Sequence, residues 1–125
     1  MVQEKIEFNV LFRNPEYPLI VISQDKLTAA FNITELAESC IASKLPEDET
    51  VIKAIDSFAE EFWYSPENFA IAPGFAFKKW TKKQVIELYN NSPNVKQSNK
   101  KYSLKSVSNK KFSRIIGEIC ELLRS

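Results

Sequence analysis

Asp48-Glu49-Thr50-Val51-Ile52-Lys53-Ala54-Ile55-Asp56-Ser57-Phe58-Ala59-Glu60-Glu61-Phe62-Trp63-Tyr64 is the stretch on which the architecture turns. Read with a helical period, Val51, Ile55, Phe58 and Phe62 form an apolar stripe flanked by Ile52, Ala59 and Trp63. The acidic start, Glu47-Asp48-Glu49, suits the positive end of a helix dipole. Read with period two, residues 50–55 and 61–64 are strands joined around Asp56-Ser57, because β-branched and aromatic residues crowd both ends. The acidic start tips the reading slightly toward the helix, and the hairpin stays open. Either way the expected class is α+β: a small single domain with an N-terminal β-hairpin, a central helical or second-hairpin region, and basic C-terminal helices.

On the N-terminal side, Ile6, Phe8, Val10 and Phe12 alternate with Glu7 and Asn9, the pattern of a half-buried strand. Pro15 and Pro18 interrupt it, and Leu19-Ile20-Val21-Ile22 resumes as a more buried strand, so a hairpin with a long loop is expected. From Asn32 the period changes. Leu36, Ala37, Cys40, Ile41 and Leu45 recur at helical spacing, Asn32 with Glu35 offers a capping box, and Pro46 ends a helix over about 33–45.

On the C-terminal side, Ser65-Pro66-Glu67 offers a cap and a first-turn proline for one helical turn. Phe69, Ile71, Phe75 and Phe77 alternate around Pro73-Gly74 as a second short hairpin or an irregular aromatic loop. Thr81 and Gln84 form a capping-box pattern ahead of Val85, Leu88 and Tyr89, giving a helix to about residue 91. Residues 92–107, rich in Ser, Asn and Lys, read as a flexible loop separating a body, 1–91, from a C-terminal helix, 108–125. Ser108 is the expected cap of that helix, with Val107 and Phe112 placed as a hydrophobic staple. There is no internal repeat.

Charge is the feature that stands out. Residues 1–77 hold five basic and thirteen acidic residues, net −8, and residues 78–125 hold twelve basic and three acidic, net +9, in a chain of net +1. Such segregation points to an anionic partner. Lys78-Lys79-Trp80-Thr81-Lys82-Lys83 gathers four ammonium groups and an indole around a helix start, where phosphate can be held and a base can stack. Lys96, Lys100, Lys101, Lys105, Lys110, Lys111 and Arg114 extend the positive charge into the last helix. The plainer reading is a solvated lysine face with Trp80 as a core or rim aromatic. Ten lysines against two arginines in residues 78–125 favour sequence-independent contact over base-edge reading. About sixteen residues separate the helices at 81–91 and 108–123, too many for a helix-turn-helix.

Much chemistry is excluded. Without histidine there is no Ser-His or Cys-His nucleophile. Gly74 and Gly117, the two glycines, cannot build a phosphate-cradling loop or a dinucleotide fingerprint. Cys40 and Cys120 lie in helical apolar patterns and read as buried, reduced thiols rather than zinc ligands or a disulfide. Glu60-Glu61 and Glu47-Asp48-Glu49 are neighbours that do not face one another on a helix or a strand, so a solvated acidic face is expected over a catalytic dyad. Phe62-Trp63-Tyr64 reads as core. No cofactor or metal is expected, no apolar run is long enough to span a membrane, and the absence of a signal-like start points to the cytoplasm. The expected function is non-catalytic: an accessory or regulatory protein touching nucleic acid non-specifically through its lysines. The alternative is an interaction module docking on an acidic protein surface, including residues 47–67 of a second copy in head-to-tail self-association.

Overall fold

The stretch 48–64 folds as a hairpin, and Asp56 supplies the reason. Its Oδ1 accepts the backbone N–H groups of Phe58 and Glu60, each at 3.0 Å, and Ala59 takes a left-handed φ of 69°. These local bonds close a tight turn and compete with helix formation. Phe58, which the helical stripe would bury, is exposed, while Ile52, Ala54, Phe62 and Tyr64 are buried at period two.

The computed structural model describes residues 8–74 and 78–124. The chain runs β1 (Asn9–Val10), β2 (Leu19–Ile22), β3 (Leu27–Ala30), α1 (Ile33–Ala42), β4 (Ile52–Ile55), β5 (Glu61–Ser65), β6 (Ala70–Pro73), α2 (Lys82–Asn91), α3 (Pro93–Ser98) and α4 (Phe112–Arg124). The strands form one sheet in the order β1-β6-β5-β4-β2-β3, antiparallel except for the parallel pair β1–β6. This is a small α+β domain with N-terminal strands, a central helix and strand region, and C-terminal helices.

Helices cover both faces of the sheet. Leu36 and Cys40 of α1 pack on Leu19, Val21, Ala30, Ile52, Ala54, Phe62, Tyr64 and Ile71. Val85, Ile86 and Tyr89 of α2 and Ile115, Ile116, Ile119 and Cys120 of α4 pack on Ile20, Leu27 and Ile55. Among the described residues no helix is long and apolar enough to cross a membrane. Cys40 and Cys120 are buried and free, and burial pushes both thiols up to about 12, which leaves them unreactive at neutral pH.

Several expectations are corrected. Asn9 and Val10 pair with Ala70 and Ile71, not with β2, whose hairpin partner is β3. The segment between β1 and β2 cannot turn back as a hairpin because it is tied instead to the β4–β5 turn. There Asp56 Oδ2 accepts from Glu16 N at 3.1 Å and Glu16 O accepts from Ser57 N at 3.0 Å. Residues 66–69 form the turn of the β5–β6 hairpin, with Asn68 N bonded to Ser65 O, rather than a helical turn. Ile6, Phe75 and Phe77 lie outside the described residues.

Helix α1 stops at Ala42, because Ser43 takes an extended conformation and turns its N–H back to Cys40 O. Asn32 caps it by accepting from Glu35 N at 2.9 Å, but Glu35 Oε1 returns to Phe31 N instead of closing the box on Asn32. The α2 capping box of Thr81 and Gln84 forms as expected. Residues 92–107 are not a loose loop: Pro93 starts α3, and Val95 and Tyr102 are buried. Asn90 bonds both the N–H and the C=O of Tyr102, at 2.7 and 3.2 Å, while the Tyr89 hydroxyl donates to Lys100 O at 2.6 Å. Ser108 caps nothing. It sits in a 3₁₀ turn, Val107–Asn109, and α4 begins at Phe112, although Val107 and Phe112 still pack on the same core.

Candidate functional site

Residues 78–83 are the densest run of lysines, and the fold turns most of it back on the protein. Backbone pairing with Ala59, Glu60 and Glu61 fixes Lys78 to Trp80 against the β4–β5 turn. Lys79 lies 4.0 Å from Glu60, and Lys83 lies 4.0 Å from Glu87. Lys82 Nζ donates to Val107 O at 3.3 Å. Lys78 Nζ stands 4.2 Å from the centroid of the Trp80 ring, which packs against the core with its indole N–H buried. The Thr81 hydroxyl and the first-turn N–H of Gln84 are used by the capping box. A phosphate at this helix start would have to displace those bonds, and Trp80 is not an open stacking platform.

The second basic group centres on Glu118. Lys110 Nζ and Arg114 Nε each lie 3.0 Å from its carboxylate, and the Tyr102 hydroxyl donates to Oε2 at 2.8 Å. These donors hold the Glu118 carboxyl below its ordinary value, Tyr102 first and then Lys110. The same node raises Lys110 above its ordinary value, chiefly through Glu118. Burial, with the Glu118 acceptor behind it, raises Tyr102. Arg124 reaches across to the N-terminal half, 3.2 Å from Glu35 and 4.4 Å from the Phe31 ring centroid.

Lys96, Lys101, Lys105 and Lys111 remain, exposed and with no charge or hydrogen-bond partner for their ammonium groups among the described residues. They project from α3, from the segment pinned by Asn90 and Tyr89, and from the start of α4. Lys100 is half-buried in the same segment.

Charge counting alone misses a cleft of about 470 Å³ lined by Phe12, Arg13, Glu60, Glu61, Pro73, Gly74, Lys78 and Lys79. Arg13 pairs with Glu60 and stands 5.0 Å from the Phe62 ring centroid, while Glu61 lies 3.9 Å from Lys53. Both carboxylates are therefore engaged by cations, and the cleft holds no free dyad. The sequence did carry a signal here, since Arg13 is the one arginine of residues 1–77. Among the described residues no group of three or more Cys, Asp or Glu side chains could hold a metal ion. No known family, curated protein or solved structure matches the chain.

Proposed function

We propose that the protein is a non-catalytic accessory or regulatory binding protein that contacts the phosphate backbone of nucleic acid through Lys96, Lys101, Lys105 and Lys111. The observation that carries this reading is that these four ammonium groups have no partner of their own among the described residues, while the segment bearing them is held by backbone and side-chain bonds. Holding the segment in place lowers the ordering cost of binding. Lysine, with Trp80 and Tyr102 turned inward, gives contact to phosphate and none to base edges, so the binding is sequence-independent.

Fluorescence anisotropy of labelled duplex and single-stranded oligonucleotides tests it. Four phosphate contacts give a fall in log affinity against log salt with a slope of about −3.6 on duplex. Replacing the four lysines by glutamine should abolish binding at the lowest salt. Absence of binding by the unaltered chain at about 50 mM salt, where multi-phosphate contacts are strong, overturns the reading.

A second reading, docking on an acidic protein surface, is favoured by Leu104. It is 67% exposed between Lys101 and Lys105, an apolar group that a phosphate backbone has no use for. Leu104→Ser would leave oligonucleotide affinity unchanged and weaken a protein complex.

A further inference from the structure

The outer strand β3 carries no charged residue and no proline, the usual protections of a sheet edge. Its protection comes from elsewhere. Ser23 N bonds Lys26 O at the mouth of the β2–β3 hairpin, and Ile22 pairs with Leu27 next along the ladder. Antiparallel alternation then turns the N–H and C=O groups of Leu27, Ala29 and Phe31 away from β2.

Asn94 of α3 takes both outward groups of Leu27: its Oδ1 accepts from Leu27 N at 3.2 Å and its Nδ2 donates to Leu27 O at 3.1 Å. One side-chain amide thus stands in for a neighbouring strand. At the far end, Glu35 Oε1 accepts from Phe31 N at 2.9 Å. Ala29 lies between the two.

These outward groups are self-complementary. In an antiparallel pairing of two copies with Ala29 opposite Ala29 on the dyad, Leu27 of each copy faces Phe31 of the other, and all three residues present hydrogen-bonding groups to one another. Asn94 and Glu35 cover the two flanking positions of that register and leave its centre. The central residues, Thr28, Ala29 and Ala30, are small enough for close approach.

We propose that β3 is a guarded self-association edge, in which the Asn94 amide, with Glu35 at the far end, prevents a second copy from adding its own β3. Displacing Asn94 extends the sheet across two copies. The partner is the chain itself because the register closes on itself, whereas an arbitrary extended peptide would share only the backbone part of the match.

The test compares the unaltered chain with Asn94→Ala by light scattering across a concentration series, alongside residue-resolved amide exchange. The unaltered chain should hold one mass with Leu27 protected and Ala29 exchanging. Asn94→Ala should move toward twice that mass as concentration rises, with protection at Leu27, Ala29 and Phe31 growing in step. Asn94→Asp, which keeps the acceptor for Leu27 N and sets a carboxylate against Leu27 O, should shift the same way and serves if Asn94→Ala does not fold. A folded variant of one mass at every concentration overturns the proposal. So does association without concentration-dependent protection at these three amides, or an unaltered chain that already dimerises with Ala29 protected.

Discussion

The β4–β5 turn and the Lys96–Lys111 segment use charged residues in opposite ways. Asp56 is fully buried and gives its carboxylate to three backbone N–H groups of its own chain, from Glu16, Phe58 and Glu60. Burial raises its carboxyl above the ordinary value, against the pull of the Glu16 and Phe58 N–H groups and of Arg13 and Lys79. The lysines 96, 101, 105 and 111 give their charge to nothing among the described residues. The two regions therefore use charge differently: Asp56 is committed to holding the chain, and these four lysines are left facing outward.

Removing Asp56 gives the largest effect. Asp56→Ala leaves three N–H groups without their acceptor at the junction of two hairpin segments, and at about 1–3 kcal/mol for each buried unsatisfied donor the destabilisation should reach at least about 3 kcal/mol. Denaturant unfolding measures it. A change below about 1 kcal/mol would mean water replaces the carboxylate, and the contrast between inward and outward charge would fail.

Gly74→Ala comes next. A Cβ at Gly74 would stand 2.7 Å from Nε1 and 2.8 Å from Cε2 of the Trp63 indole, a rigid ring on β5. Overpacking of this kind costs about 1–3 kcal/mol. The unfolding free energy should fall by that amount. An unchanged value would mean that the indole moves aside to admit the methyl group.

What the sequence made readable follows from the range of each signal. The Thr81–Gln84 box, the Asn32 cap and the α4 stripe of Ile115, Ile116, Ile119 and Cys120 depend on residues within a few positions, and they appear where expected. The pairing of β1 with β6 joins residues about sixty positions apart, and no local pattern in 5–12 encodes it. The strand β3 escapes a pattern reading because Leu27-Thr28-Ala29-Ala30 is short and small, and α1 and α4 on its two faces supply the burial. Residues 92–107 read as loose because their order comes from Asn90 and Tyr89, polar side chains on another helix. Of the candidate site, the lysines are legible by count alone; Lys83–Glu87 is an i,i+4 pair within α2, but the neutralisation of Lys79 and Lys110 depends on Glu60 and Glu118, whose placement is tertiary.

A smaller effect appears with pH at the Glu118 node. A carboxyl held below its ordinary value contributes stability above the unfolded-state value, 4.5, and that stability disappears as pH falls through the folded value below it. Unfolding midpoints should therefore decline on acidification below about pH 4.5, and Glu118→Gln should flatten that part of the curve. Tyr102→Phe, which removes the first of the donors, should flatten it partly. An equal slope in all three would assign the acid sensitivity to other carboxylates.

The smallest effect on stability belongs to the lysines, and it separates the two regions most sharply. Replacing Lys96, Lys101, Lys105 and Lys111 by glutamine removes no intramolecular bond among the described residues, so stability should change by no more than about 0.5 kcal/mol per site. Replacing them one at a time should lower the magnitude of the log affinity against log salt slope by about 0.9 each, before the fourfold change removes binding. Lys79→Gln and Lys83→Gln, whose charges already face Glu60 and Glu87, should leave that slope nearly as it was. If both sets lower it equally, the ion pairs at 4.0 Å open on binding and the anion surface runs on through residues 78–83.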